Sequence, residues 1–299
     1  TSDISIVGNT FTDVSAGYFD GPFDWYSAKA IYLSSNPSGQ QGGSDPIEGV
    51  SIRNNDISGI SSPVQSFGIE IHHDVSDVEI TDNRISGISG DVGNEFTDPV
   101  KDGEPFDTAA AVYIARGTPT GPSDVTVSGN YLSATSATGD GFTPGASVLV
   151  EGDADADSIM VTENDLEASI GVTNRSGRGV VDARNNWWDA VGGPAGVSAD
   201  GTELSVGSAG SATTSGSGSY VVDFDGDGTA EVNFDNFAVE PFYSETHTVA
   251  ADSSADFQSL TAALDAAQPT DTVSIVDDSE FAFDSKQTVN TDGLIIEAG

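Results

Sequence analysis

The stretch DFDGDGTAEVNFD, residues 223–235, spaces its carboxylates as a Ca²⁺ loop does. Asp223, Asp225, Asp227 and Gly228 take positions 1, 3, 5 and 6 of such a loop, and Glu231 takes position 9. Oxygen ligands at alternate positions, with a glycine for the sharp turn, are what a hard dication requires. Position 12, where a bidentate acid closes the shell, is Phe234, with Asp235 one residue later. The same residues also make an acidic hairpin turn between YVV and AEVNF, because Asp and Gly are ordinary turn formers. Calcium is thus the one cofactor the sequence offers, and both readings stay open. GDADADS, residues 152–158, is a weaker version of the same pattern.

Other chemistry is sparse. In EIHHD, residues 70–74, adjacent strand residues point to opposite faces, so His72 and His73 are not expected to share a metal. Lys29, Arg53 and Arg84 are the basic residues available on the central strands for proton abstraction. With 48 acidic residues, carboxylate pairs at glycosidase spacing arise by chance, so no catalytic residue is assigned. Four insertions, residues 15–27, 61–67, 89–108 and 133–145, carry Tyr18, Phe19, Trp25, Tyr26, Phe96 and Phe106 among acidic neighbours. These aromatics either anchor the loops as a satellite hydrophobic cluster or present a surface to a glycan or protein partner. Asn174-Arg175-Ser176 is an N-glycosylation sequon, making Asn174 the modification candidate.

The chain that must position these groups has 299 residues, no cysteine and a net charge of -39. Such a charge opposes compaction in dilute buffer. At about 1 M salt the Debye length falls to roughly 3 Å and the repulsion is screened. The composition therefore resembles that of proteins from halophilic archaea and their viruses. Nucleic acid is not an expected partner, since there is no basic stripe. No run of about 18 apolar residues is present, so no membrane-spanning helix is expected. Without cysteine there is no disulfide framework and no thiol chemistry.

The organising pattern is a repeat. ISIVGNTFTDV (4–14), VSIRNNDISGI (50–60), VEITDNRISGI (78–88), VTVSGNYLSAT (125–135), IMVTENDLEAS (159–169) and VVDARNNWWDA (180–190) align on Asn9, Asn55, Asn83, Asn130, Asn164 and Asn186. A second short strand accompanies them: AIYLS, GIEIH, AVYIA, SVLVE and IGVTN. Alternation places Ile69, Ile71, Val78 and Ile80 inward. Stacked turns would put the asparagines at a bend, where Asn tolerates left-handed angles, and would join them in a hydrogen-bonded ladder. Asp56 and Arg84 would then lie one above the other. The expected fold class is all-β: a right-handed parallel β-helix solenoid, with a short amphipathic helix and a partial second β-helix or cap at the C-terminus.

These repeats resemble the pectin-lyase-like superfamily, in the style of NosD-like proteins. ARNNWWDAVGGPAG, residues 183–196, is similar to the NNWWG…GP ending of many archaeal and bacterial surface β-helix proteins, with Asp189 where that pattern favours Gly. VNFDNFAVEPF, residues 232–242, resembles the strand that closes such a unit, and Trp187 and Trp188 are expected to seal the end of the helix. The resemblance is specific for fold and says little about activity.

ADFQSLTAALDAAQPTDTVSIV, residues 255–276, reads as a beginning placed near the end. Phe257, Leu260, Ala263 or Leu264, and Ala267 share one helical face, with Asp256 as N-cap, and strands follow. The expected organisation is a parallel β-helix over 1–197, a Gly/Ser-rich connection and acidic closing hairpin over 198–245, and a cap helix with the first strands of a second β-helix, or an inter-subunit joint, over 246–299. The expected function is an extracellular structural or adhesive protein, a cell-surface or virion-appendage subunit of a haloarchaeal system. Its partners would be copies of itself, further domains of a longer protein, and glycans. The alternative is a carbohydrate-active enzyme, a polysaccharide lyase or glycoside hydrolase. A clustered acid pair, or a base beside Ca²⁺, in a groove along one sheet would favour that alternative.

Overall fold

The computed structural model describes residues 2–16, 27–35, 46–62, 65–90, 108–114, 120–135, 145–197, 205–206, 215–222, 229–243, 246–250, 255–267, 271–276 and 295–298. They form two compact units, Thr1–Val239 and Glu240–Gly299. Nearly all regular structure is β.

In the first unit the chain visits three parallel sheets in rotation. The strands run β1 (Ser2–Val7), β2 (Thr10–Thr12), β3 (Ser27–Ser34); β4 (Ile47–Arg53), β5 (Asp56–Ser62), β6 (Gln65–His72); β7 (Val75–Thr81), β8 (Arg84–Gly90), β9 (Thr108–Ile114); β10 (Ser123–Ser128), β11 (Tyr131–Thr135), β12 (Ala146–Glu151); β13 (Ile159–Thr162), β14 (Asp165–Leu166), β15 (Ile170–Arg175). There follow β16 (Val181–Asp182), β17 (Ala195–Val197), β18 (Ser205–Val206), β19 (Tyr220–Val222), β20 (Thr229–Ala230) and β21 (Val232–Asn233). The first sheet has order β1-β4-β7-β10-β13-β16-β21, the second β14-β11-β8-β5-β2 and the third β17-β19-β15-β12-β9-β6-β3. Through β15, each strand therefore pairs with the one three places later. Parallel neighbours need a long crossover, and here the other two sheets supply it.

Like residues meet across turns. Val50, Val78, Val125 and Ile159 are in register in the first sheet, as are Ile52, Ile80, Val127 and Val161. Ile57, Ile85, Leu132 and Leu166 do the same in the second. Ile69, Val112, Val148 and Val172 do so in the third. All belong to one core cluster, and burying each such side chain contributes about 1.5–3 kcal/mol. Asp56 and Arg84 are in register as expected.

The corner between the first and second sheets holds the asparagine ladder. In each rung the backbone N–H and Nδ2 of one Asn donate to Oδ1 of the next. For Asn55 to Asn83 the distances are 3.0 and 2.9 Å, for Asn83 to Asn130 2.8 and 3.0 Å, and for Asn130 to Asn164 3.0 and 2.9 Å. Asn9 to Asn55 and Asn164 to Asn186 repeat the pattern. The left-handed angle falls not on the ladder Asn but on the residue before it: Gly8, Asn54, Asp82, Gly129, Glu163 and Asn185 all have φ between 53° and 67°. That residue makes the turn, which leaves the ladder side chain free to aim along the stack.

The ladder has an internal stop. β16 pairs with β21, Val181 opposite Val232 and Asp182 opposite Asn233; continued to the bend, that offset sets Asn236 against Asn185 and Phe237 against Asn186. Asn236 repeats the left-handed bend, with φ 56°. Ala238 N–H donates to Asn186 C=O at 2.8 Å. Beside this end the fully buried Trp188 meets Phe234 edge-on, ring centroids 6.5 Å apart. Trp188 lies so close over Gly171 that a Cβ there would sit 2.5 Å from its Cζ3. Strands β19 and β21, from the segment expected to hold a Gly/Ser-rich connection and an acidic closing hairpin, pair with the sheets of the first unit.

The second unit pairs β22 (Thr246–Val249), β23 (Thr272–Ile275) and β24 (Ile295–Ala298) in parallel, with helix α1 (Leu260–Ala266) between β22 and β23. Its N-cap is Ser259, which accepts from Ala262 N at 3.4 Å. Asp256, expected in that role, instead accepts from Thr248 N and Oγ1 at 3.0 and 2.7 Å, tying the segment to β22. Ala263 is buried with Val249 and Val273, and Phe257, Leu260, Leu264 and Ala267 pack around them. The apolar helix face therefore packs on the sheet of its own unit through Ala263, with its larger side chains partly buried.

Candidate functional site

The side chains best placed for chemistry among the described residues lie on the third sheet, on the face opposite Ile69 and Ile71. Alternation turns Glu70 away from the core, and the register places it between Tyr32 and Tyr113. Its side chain is only 4% exposed, and a buried carboxylate requires partners. Lys29 Nζ lies 2.6 Å from Oε2, and His72 Nε2 lies 3.1 Å from Oε1. Lys29 also sits over the Tyr32 ring, 4.3 Å from its centroid. Phe67 stacks on Tyr113 at 4.4 Å. The Tyr113 hydroxyl donates to Glu151, which is in register with Arg175. Both carboxylates of this face are thus committed to partners on neighbouring strands.

Lys29 is visible in the sequence as a basic residue, but its partner is not: 41 positions separate Lys29 from Glu70, and only the register brings them together. The histidines depart from expectation. The strand ends at His72, and His73 takes a left-handed φ of 62°. The chain bends there, so simple alternation does not apply, and the two rings meet edge-to-face with centroids 4.7 Å apart. Among the described residues no group of three His, Asp or Glu side chains could hold a metal ion.

Two further clusters lie near the stop. Met160, Thr162, Asp182, Arg184, Asn185 and Asn236 line a depression of about 290 Å³ on the outer side of the first sheet. Arg184 grips Asp182 with both arms, at 2.8 and 2.6 Å, and holds its carboxyl below the usual range. Asp189 is pushed up by burial, against the opposing effect of a hydrogen bond with Glu167. Its φ is 57°, a backbone angle that the Gly of the resembling motif would adopt without strain.

The aromatic candidates Tyr18, Phe19, Trp25, Tyr26, Phe96 and Phe106 lie outside the described residues, as do Asp223, Asp225 and Asp227 of the calcium candidate. Glu231, its fourth member, is partly buried, and its carbonyl accepts from Val181 N and Asn174 Nδ2, both at 3.0 Å. Asn174 is 3% exposed. Its Nδ2 also donates to Gly179 C=O at 3.1 Å, and its Oδ1 accepts from Ser176 N and Oγ at 3.0 and 2.7 Å.

Compared with known proteins, the chain matches no family model, no curated protein and no solved structure. No helix among the described residues is long and apolar enough to cross a membrane.

Proposed function

We propose that the first unit is a right-handed parallel β-helix of pectin-lyase-like type, and that it serves as a rigid extracellular scaffold. In this reading the protein is a structural or adhesive component of a salt-adapted, haloarchaeal cell surface or virion appendage. Its partners are further copies, further domains and glycans. The observation that carries the reading is the asparagine ladder: six turns joined by one repeated set of hydrogen bonds, with like residues in register. Such a stack orders its turns without any catalytic demand on them. Two features add support. The carboxylates on the third sheet are already engaged by Lys29, His72 and Tyr113. The aromatic insertions join a second-sheet strand to a third-sheet strand at β2–β3, β8–β9 and β11–β12, so they leave from one corner of successive turns, whereas the expected insertion over 61–67 is mostly strand, with Phe67 buried in β6.

The test is recognition without turnover. The chain at molar KCl would be applied to an array of neutral and acidic glycans, beside a variant with residues 91–107 replaced by a short Gly/Ser linker. Binding by the first and loss of it in the second supports an adhesive scaffold. Release of reducing ends or unsaturated uronates from any glycan, abolished by Glu70→Gln, would replace the scaffold reading with the enzyme.

A further inference from the structure

We propose that Asn174 is a folding-gated glycosylation site: open to an N-linked glycan while the chain is unclosed, and closed to it once β21 pairs with β16. The proposal rests on the extracellular reading for its setting, and on the sequon and the local geometry for its substance. Asn174 is near the end of β15, and its side chain ties three segments together. One Nδ2 hydrogen goes to Gly179 C=O, in the bend after β15, and the other to Glu231 C=O, just before β21. Glu231 C=O also accepts from Val181 N, at the start of β16. The sequon hydroxyl, Ser176 Oγ, turns back onto Asn174 Oδ1 at 2.7 Å. Every polar atom that a glycosyltransferase must reach is therefore spoken for.

The chemistry makes the two states exclusive. Transfer from a lipid-linked oligosaccharide diphosphate forms a bond between Nδ2 and the first sugar carbon. The lipid diphosphate leaves, and the amide nitrogen loses one proton. The product keeps a single N–H, so at most one of the two carbonyls can still be satisfied. The glycan would also have to emerge from a residue that is 3% exposed. A chain that closes first escapes modification, and a chain modified first cannot close. The sequon thus reports whether closure has outrun the transferase.

Three substrates would be offered to a purified oligosaccharyltransferase with its lipid-linked donor, in a buffer where circular dichroism shows the wild type folded. They are the folded chain, the variant Val232→Asp, which places a charge at a fully buried position of β21, and a synthetic peptide of residues 169–181. Mass spectrometry of the Asn174 peptide reads the transfer. The peptide and Val232→Asp should be modified, and the folded chain about a thousandfold more slowly or less, since a native domain is unfolded for a fraction on the order of 10⁻³ or below. Ser176→Ala should abolish transfer throughout. Peptide glycosylated and then built into the full chain by ligation should yield a product that lacks the wild-type melting transition. Equal rates for the folded chain and the peptide, no transfer to the peptide, or a glycosylated chain with the wild-type melt would each overturn the proposal. Folded protein from its source should carry no glycan at Asn174, and finding one there would also overturn the proposal; a chain found only inside its cell would leave these results standing and remove the extracellular reading alone.

Discussion

Replacing Asn83 by leucine isolates the contribution of one rung. The side chain lies within hydrogen-bonding distance of five partner atoms, the two Nδ2 hydrogens being shared among three acceptors. Its Oδ1 accepts from Asn55 N and Nδ2, and its Nδ2 donates to Asn130 Oδ1, Ile52 C=O and Thr81 C=O. Some partners keep an alternative: Asn55 Nδ2 still has Ile6 C=O, Asn130 Oδ1 still has Asn83 N, and Thr81 C=O still has Asn54 N. The Ile52 carbonyl loses the Asn83 side chain but lies within β4, in register with Ile80 of β7. Asn55 N–H, in the bend between strands, loses the Asn83 side chain as its partner. A buried group left unsatisfied costs about 1–3 kcal/mol, so Asn83→Leu should cost roughly that much. Against a typical domain stability of about 5–15 kcal/mol this is a large share. Asn9 supplies the control. It is exposed, and its side chain makes one ladder bond, to Asn55 Oδ1 at 3.0 Å. Asn9→Ala should cost only about 0.5–1.5 kcal/mol. Denaturant melts of both variants, at one fixed molar salt concentration, give the difference. Amide exchange at Asn55 should accelerate in Asn83→Leu alone. Equal losses in the two variants would refute the idea that the ladder is held by buried satisfaction.

Three further outcomes are expected. The melting temperature should fall steeply as KCl is lowered from molar to dilute, because a charge of -39 is screened only at high salt; a flat profile would remove the halophilic reading. Calcium, if the loop binds it, should give heat on titration that Asp225→Ala removes, and identical heats from both chains would leave only the turn. Asp189→Asn should raise the melting temperature only slightly near neutral pH, because the residue is exposed and solvent screens the effect, and should lose that advantage in acid. Burial raises the Asp189 pKa in the folded chain, so the carboxyl's favourable contribution is complete below its unfolded pKa and is lost as pH rises through the folded one. A variant no more stable than wild type at pH 7 would show that the Glu167 hydrogen bond dominates.

The repeating part of the fold is legible because its physics is local and repeated. An Asn at a fixed offset after alternating apolar residues fixes both the inward face and the bend, and six copies do not arise by chance. The left-handed residue lies one position earlier than the aligned Asn, since Asn, Asp and Gly crowd every bend and composition does not say which of two neighbours takes the angle. Phe237 is hidden for a different reason: DNFA resembles the earlier bends until β21 is paired in register. The third-sheet cluster depends on contacts between residues 38 to 41 positions apart, joined through loops of unequal length. A repeat reveals which strands are equivalent, but not which outward side chains then touch. His72 and His73 escape the alternation rule because a bend begins where the sequence pattern reads as continuing strand.

The stop at Phe237 has a consequence for how such a chain changes length. Every rung before it presents the same donors and acceptors to the next, so a turn can be inserted or deleted between Asn55 and Asn164 without redesigning its neighbours. Each change would alter the stack by one strand spacing, about 4.8 Å. The phenylalanine has no amide to pass on, so the count ends there whatever precedes it. Length becomes a digital quantity, written as a number of asparagines and punctuated by one aromatic ring.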